Sequence, residues 1–214
     1  MQQTKRNIAY FWKERILKQQ TGESLTFAIQ EEDISVFFPI FQQGIVLKIR
    51  TGCSIRSLLC GQLGMNSEYV TDRIQTVFLN GKAVDDMDQS IIRNADTLAL
   101  SAAMPGLVGA TFRTQGKLAV FRNSITHQSH EKDMPEAKGM LTLKFFNLLV
   151  PETVPEFVEK GIWLRKERAE EFFRQNAHCL RSIRKNGREI CPDQPEPVTW
   201  TEDLIFIQGK IFHS

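Results

Sequence analysis

The stretch VFLNGKAVDDMDQSIIRNADTLALSAAMPGLVG, residues 77 to 109, carries the pattern from which the fold is read. Val77, Phe78 and Leu79 run into Asn80-Gly81, a dipeptide that accepts the positive φ angles of a tight type I′ turn, so a β-hairpin is expected. Asp85, Asp86 and Asp88 follow as a polar arc. Such a cluster offers hard oxygen ligands for a divalent cation, but a solvated turn explains it as well and is the expectation. Asn94-Ala95-Asp96 supplies a second turn before Leu98-Ala99-Leu100, which alternates with small residues as a mostly buried last strand would.

Upstream, Ile34-Ser35-Val36-Phe37-Phe38 and Ile45-Val46-Leu47-Lys48-Ile49 are β-rich runs separated by Pro39 and Gln42-Gln43-Gly44, and read as an antiparallel pair. Thr51 or Ser54 can cap a helix whose apolar positions are Ile55, Leu58, Leu59 and Leu63, ending near Gly61 to Gly64. Two strands, a helix and two more strands give β-β-α-β-β, the order of a β-grasp domain, in which a small mixed sheet wraps one helix. Before it, Leu25 to Ile29 reads as a short strand. Residues 4 to 20 place Ile8, Phe11, Trp12 and Ile16 on one face of an amphipathic packing helix.

Residues 34 to 109 resemble the ubiquitin-like sulfur carriers, the small subunit of molybdopterin synthase and the thiamine-pathway carrier. The likeness rests on ISVFF, Ser54-Ile55-Arg56-Ser57-Leu58-Leu59, Leu79-Asn80-Gly81-Lys82, Val84-Asp85-Asp86 and Asn94 to Leu100. Members of that family end in Gly-Gly, whose carboxylate becomes a thiocarboxylate. Here the equivalent point reads Pro105-Gly106-Leu107-Val108-Gly109 and the chain continues, so the resemblance implies sulfur transfer only after cleavage near Gly106 or Gly109. Uncleaved, Pro105, Gly106 and Gly109 read as a junction between domains.

The second half echoes the first. Thr111 to Phe121 suggests a hairpin, and His127 to Gly139 a polar loop. Leu141 to Phe145 parallels Ile45 to Ile49 as a strand, and Pro151 to Val158 opens a helix. Ile183 to Ile190 parallels Val77 to Val84 around its own turn at Asn186-Gly187, and Asp203 to Ile207 parallels the strand after Asp96. Trp163 to Asn176 has helical spacing and reads as an insertion. The expected fold is α+β, with two tandem ubiquitin-like β-grasp domains and an added N-terminal helix. The expected divisions are 1–30, 31–108 and 109–214.

Lys plus Arg total 27 against 25 Asp plus Glu, a net charge of +2 that does not mark a nucleic-acid binder. No apolar run is long enough to span a membrane, and MQQTKRNIAYFWKERILKQQ lacks a signal-peptide core, so a cytoplasmic protein is expected. Cys53, Cys60, Cys179 and Cys191 form no CxxC pair, and His127, His130 and His178 lack a spacing typical of zinc sites; reduced thiols and no metal or cofactor are expected. Nucleophile elbow, phosphate loop and HExxH motifs are absent. The segment Arg174 to Arg188 holds five basic residues and no acidic one. Its Arg181, Arg184, Lys185 and Arg188 are candidate anion-binding residues, with protection of a sheet edge as the plainer explanation. The function expected is non-catalytic binding of another protein.

Overall fold

The computed structural model describes residues 22–102, 135–190 and 200–213. The expected N-terminal helix, the hairpin 111 to 121 and the junction at Pro105, Gly106 and Gly109 lie outside the described residues. The chain forms two compact units, one spanning Phe41–Val150 and the other taking the residues up to Ile40 and from Pro151 onward. The contacts therefore do not divide the chain at 108/109. One unit is built from the middle of the sequence and the other from both flanks. Both are α+β, and no described helix is long and apolar enough to cross a membrane.

In the Phe41–Val150 unit the strands are β2 (Ile45–Thr51), β3 (Thr76–Leu79), β4 (Lys82–Ala83), β5 (Asp96–Ser101) and β6 (Ala137–Phe146), in the order β4-β3-β5-β6-β2. β5 and β6 are parallel, and the other neighbours are antiparallel. Alternate residues of these strands, among them Ile45, Leu143, Leu98, Leu100 and Val77, are fully buried on one face. Ile55, Leu58, Leu59 and Leu63 complete this core from a helical segment between β2 and β3. Ser54 Oγ accepts from the Ser57 amide at 3.2 Å at its start, and Ser57–Gln62 widens into a π-helix. A short helix, α2 (Ser67–Asp72), follows, with the Asn66 side chain accepting from the Glu68 and Tyr69 amides.

The other unit contains β1 (Ser24–Gln30), α3 (Leu149–Lys160, all but its first two residues), β7 (Ile162–Arg165), α4 (Lys166–Asn176), β8 (Leu180–Lys185), β9 (Arg188–Glu189) and β10 (Leu204–Phe212), with strand order β7-β10-β1-β8-β9. Here β1 and β10 are the parallel pair. Ala169, Phe172 and Phe173 recur at helical spacing along the buried side of α4. Phe172 meets Phe37 at 4.5 Å between ring centroids, and Phe37 stacks on Phe27 of β1 at 5.5 Å.

Both sheets share one plan. From the Asn-Gly hairpin inward the pairings run antiparallel, antiparallel, parallel, antiparallel, and a helix links the outermost strand of that series back to the hairpin. The two predicted turns take equivalent places, with φ of 51° and 78° at Asn80-Gly81 and 49° and 80° at Asn186-Gly187.

Five expectations are corrected. Ile34 to Phe38 is not a strand: Glu31–Phe37 is a 3-10 helix continued by α1 (Phe38–Gln43). Ile34, Phe37, Ile40 and Phe41 are buried at helical spacing, the acids Glu31, Glu32 and Asp33 favour the helix N-terminus, and Pro39 fits the first turn of α1. Leu141 to Phe145 is not a second-half counterpart of Ile45 to Ile49 but its direct neighbour in the sheet, with Ile45 opposite Leu143. Gly139, expected in a loop, belongs to β6. Asp203 to Ile207 leads into β10, which holds the place of β6, whereas the place of β5 is filled by β1. Trp163 lies in β7, ahead of the helix expected to contain it.

Gly161 joins α3 to β7 with φ of 91°, and a Cβ there would collide with the Phe206 ring, which is itself packed on Trp163 at 5.2 Å between centroids. Gly81 has φ of 78° and open space around it. Gly81→Ala is expected to cost about 1 kcal/mol from backbone strain alone. Gly161→Ala adds overpacking and is expected to cost roughly 3 kcal/mol. Chemical denaturation of the two variants checks the difference, and equal losses would overturn the assignment of Gly161 to a crowded site.

Candidate functional site

Two polar surfaces emerge from the residues that the strands hold in register. The first is the face of the Phe41–Val150 sheet opposite its core. Along β6 the residues pointing that way alternate with buried Leu141, Leu143 and Phe145, and include Lys138, Met140, Lys144 and Phe146; β2 adds Lys48 and Arg50. Met140 and Phe146 are exposed by 42% and 37%, far more than apolar strand residues that face a core. Arg50 stands directly opposite Lys138 in the register, and like charges so placed destabilise a sheet. Glu136 reaches Arg50 at 3.4 Å, but both groups are solvated and such a pair contributes little. The Lys144 stem runs over Gly44, within 3.3 Å of where a Cβ would stand, so its ammonium is carried along the sheet surface.

The second surface was expected at Arg181, Arg184, Lys185 and Arg188, and the structure divides that set. Across from β1, Arg181 aligns with Ala28 and Arg184 with Thr26, so Ser182 and Ile183 together oppose Phe27. This is a β-bulge, and Ser182 takes the left-handed conformation, φ 49°, that lets the extra residue fit. In a regular strand, residues three apart face opposite ways; the bulge turns Arg181 and Arg184 to the same side, away from buried Leu180 and Ile183. Lys185 turns the other way, and Arg188, its partner in the hairpin, shares its side.

Lys185 is a structural residue. Its ammonium lies 4.5 Å from the centre of the Trp200 ring and 3.2 Å from the Glu23 carboxylate. Glu23 also accepts from the amides of Thr201 (2.5 Å) and Glu202 (2.9 Å), which ties the start of β1 to the approach of β10. Asp86, Asp88 and Asp96 also make local contacts. Asp86 accepts from the Asp88 and Gln89 amides, and Asp88 accepts from Arg56 at 3.0 Å. Asp96 accepts from Asn80 (2.7 Å) and from the Arg93 amide (2.7 Å), while the Asn80 side chain accepts from the Thr97 amide. Among the described residues no three His, Cys, Asp or Glu side chains converge on a metal position, and Cys53, Cys60 and Cys179 are free thiols. Burial pushes all three thiols above their ordinary pKa, away from thiolate reactivity. His127, His130 and Cys191 lie outside the described residues.

Residues missed from the sequence are Lys138, Met140, Lys144 and Phe146. Their signal is the period-two alternation of AKGMLTLKFF, which the polar segment running into it obscures.

Burial raises the Glu23 carboxyl, but the two amides and Lys185 outweigh it and hold the pKa down at about 2, against an ordinary 4.5. A depressed acid stabilises the fold at pH values above 4.5, and that contribution is lost as the pH falls from 4.5 through 2. The full separation corresponds to a ceiling of roughly 3 kcal/mol, reduced by the solvent that reaches the carboxylate. Glu23→Gln is expected to be less stable than the parent at pH 7, by about 1–3 kcal/mol, with the gap closing toward pH 2. Urea melts across that range check it, and a gap independent of pH would refute the assignment.

Compared with protein-family models, curated proteins and solved structures, the chain matches none of them.

Proposed function

We propose that the protein is a non-catalytic binding module, and that the open face of the Phe41–Val150 sheet receives an acidic, partly apolar surface of another protein. One observation carries this reading: cations and exposed apolar side chains share the face, with Arg50 set against Lys138 at a cost to the fold. Apolar contacts at Met140 and Phe146 supply contact area, and the surrounding cations orient an acidic partner and speed its approach.

The strand plan supports a β-grasp relationship in rearranged form. The order expected from the sulfur carriers is β-β-α-β-β. Here the strand that should come first, as the hairpin partner of β2, comes last as β6, and the parallel centre is formed by β5 and β6. A β-grasp sheet offers a face or an edge to its partners, and β4, two residues long, offers little edge.

The double charge reversal Lys138→Glu with Lys144→Glu tests the reading. A photo-crosslinker at Thr142 in the native host is expected to capture an acidic protein. The reversal is expected to reduce that capture at least roughly tenfold, while urea melts stay within about 1 kcal/mol of the parent. Capture unaffected by the reversal would sink the proposal, as would turnover of a small molecule by the purified chain.

A further inference from the structure

A separate basic group lies in the other unit, on the sheet face opposite the phenylalanine cluster. The bulge at Ser182 brings Arg181 and Arg184 to this face. On the far side of β1, Lys210 of β10 aligns with Ala28, so Lys210, Ala28 and Arg181 lie in one line across three strands. Neighbouring strands are ~4.8 Å apart, which places the two cationic residues about 10 Å apart at their backbones with only an alanine methyl between them. Arg184 stands one pleat further along beside Thr26, about 7 Å from that line. The result is a shallow trough floored by Ala28 and Thr26 and walled by three cations, each long enough to lean over the floor.

The arrangement is partly held in place. With its amide turned to satisfy both ends, Gln30 donates to the Phe212 carbonyl at 3.2 Å and accepts from Arg181 at 3.1 Å. The Lys210 ammonium stands 5.1 Å from the Phe212 ring centre. Among the described residues none of the three cations forms an ion pair. Glu189 stands opposite Arg184 without a salt bridge to it, and Glu31 is engaged by His213 at 2.8 Å.

We infer that this trough binds a phosphate monoester or pyrophosphate group. Two guanidinium forks can each meet two phosphate oxygens, the lysine supplies a third positive charge, and the exposed Thr26 hydroxyl can donate to the same group. Lys185 and Arg188 take no part, because they project from the other face.

Pyrophosphate titrated into the full chain, followed by calorimetry and by the amide signals of β1, β8 and β10, tests the site. Arg181→Ala and Arg184→Ala are each expected to weaken binding roughly tenfold or more, and Arg184→Lys nearly as much because it keeps the charge and loses the fork. Arg188→Ala is expected to stay within about twofold, being on the wrong face. Citrate, of similar charge without a phosphoryl group, should bind more weakly. The inference is overturned if millimolar pyrophosphate does not bind, if Arg188→Ala is as damaging as Arg181→Ala, or if citrate binds equally well. A single-stranded oligonucleotide that outcompetes pyrophosphate with a steep salt dependence would overturn it in favour of a nucleic-acid backbone.

Discussion

Each unit depends on a parallel pair of strands at the centre of its sheet. Parallel neighbours cannot be joined by a tight turn, so the two strands must come from separated parts of the chain. In one unit residues 96–101 lie against 141–146, and in the other residues 24–30 lie against 206–212. The second pairing explains why that unit is assembled from both flanks: β1 has no local partner, and both of its neighbours, β10 and β8, come from the far part of the sequence. The clamp of Glu23 on the Thr201 and Glu202 amides acts at this closure, where an ordered contact offsets the loop entropy of bringing such distant segments together.

Around these centres the hairpins are local. Asn80-Gly81 and Asn186-Gly187 set their own geometry through two consecutive positive φ angles, and the short strands they join need little from the rest of the fold. In the Phe41–Val150 unit the hairpin is then locked to the centre by polar contacts. Asn80 bonds to Asp96 and Thr97, and Asn94 accepts from the Met140 amide at 2.9 Å, so one turn reaches β5 and the next reaches β6. Asn94-Ala95-Asp96, legible as a turn, is thereby also a fastening between strands.

Legibility in the sequence followed the same division. The Asn-Gly hairpins, the helix beginning near Ser54 and the strands at Leu25, Ile45 and Leu98 were readable because short-range chemistry sets them. The pairing of β2 with β6 was not, since alternation gives the faces of a strand without naming its neighbour. Ile34 to Phe38 is illegible for another reason: ISVFF alternates like a strand, while its helical partners Ile40 and Phe41 lie beyond Pro39, a residue that suggests a break. The basic segment was seen as a charge run, yet its division between two faces depends on Ser182, whose left-handed backbone nothing in the residue type announces.

That bulge bears on why the charges are there. Arginine and lysine on a sheet are often explained as guards against edge-to-edge pairing, and the short β4 and β9 already protect the ends on which they lie. Arg184 is not at an edge. It is flanked by Thr26 on one side and Glu189 on the other, and the segment Thr142 to Lys144 likewise runs between β5 and β2. Side chains at these interior positions act on what lies above the sheet, not on what lies beside it. An Arg50–Lys138 opposition relieved only by a solvated Glu136, and two arginines turned to one side by a left-handed serine, both oppose local stability. On the functions proposed above, an anionic partner over each sheet offsets those costs.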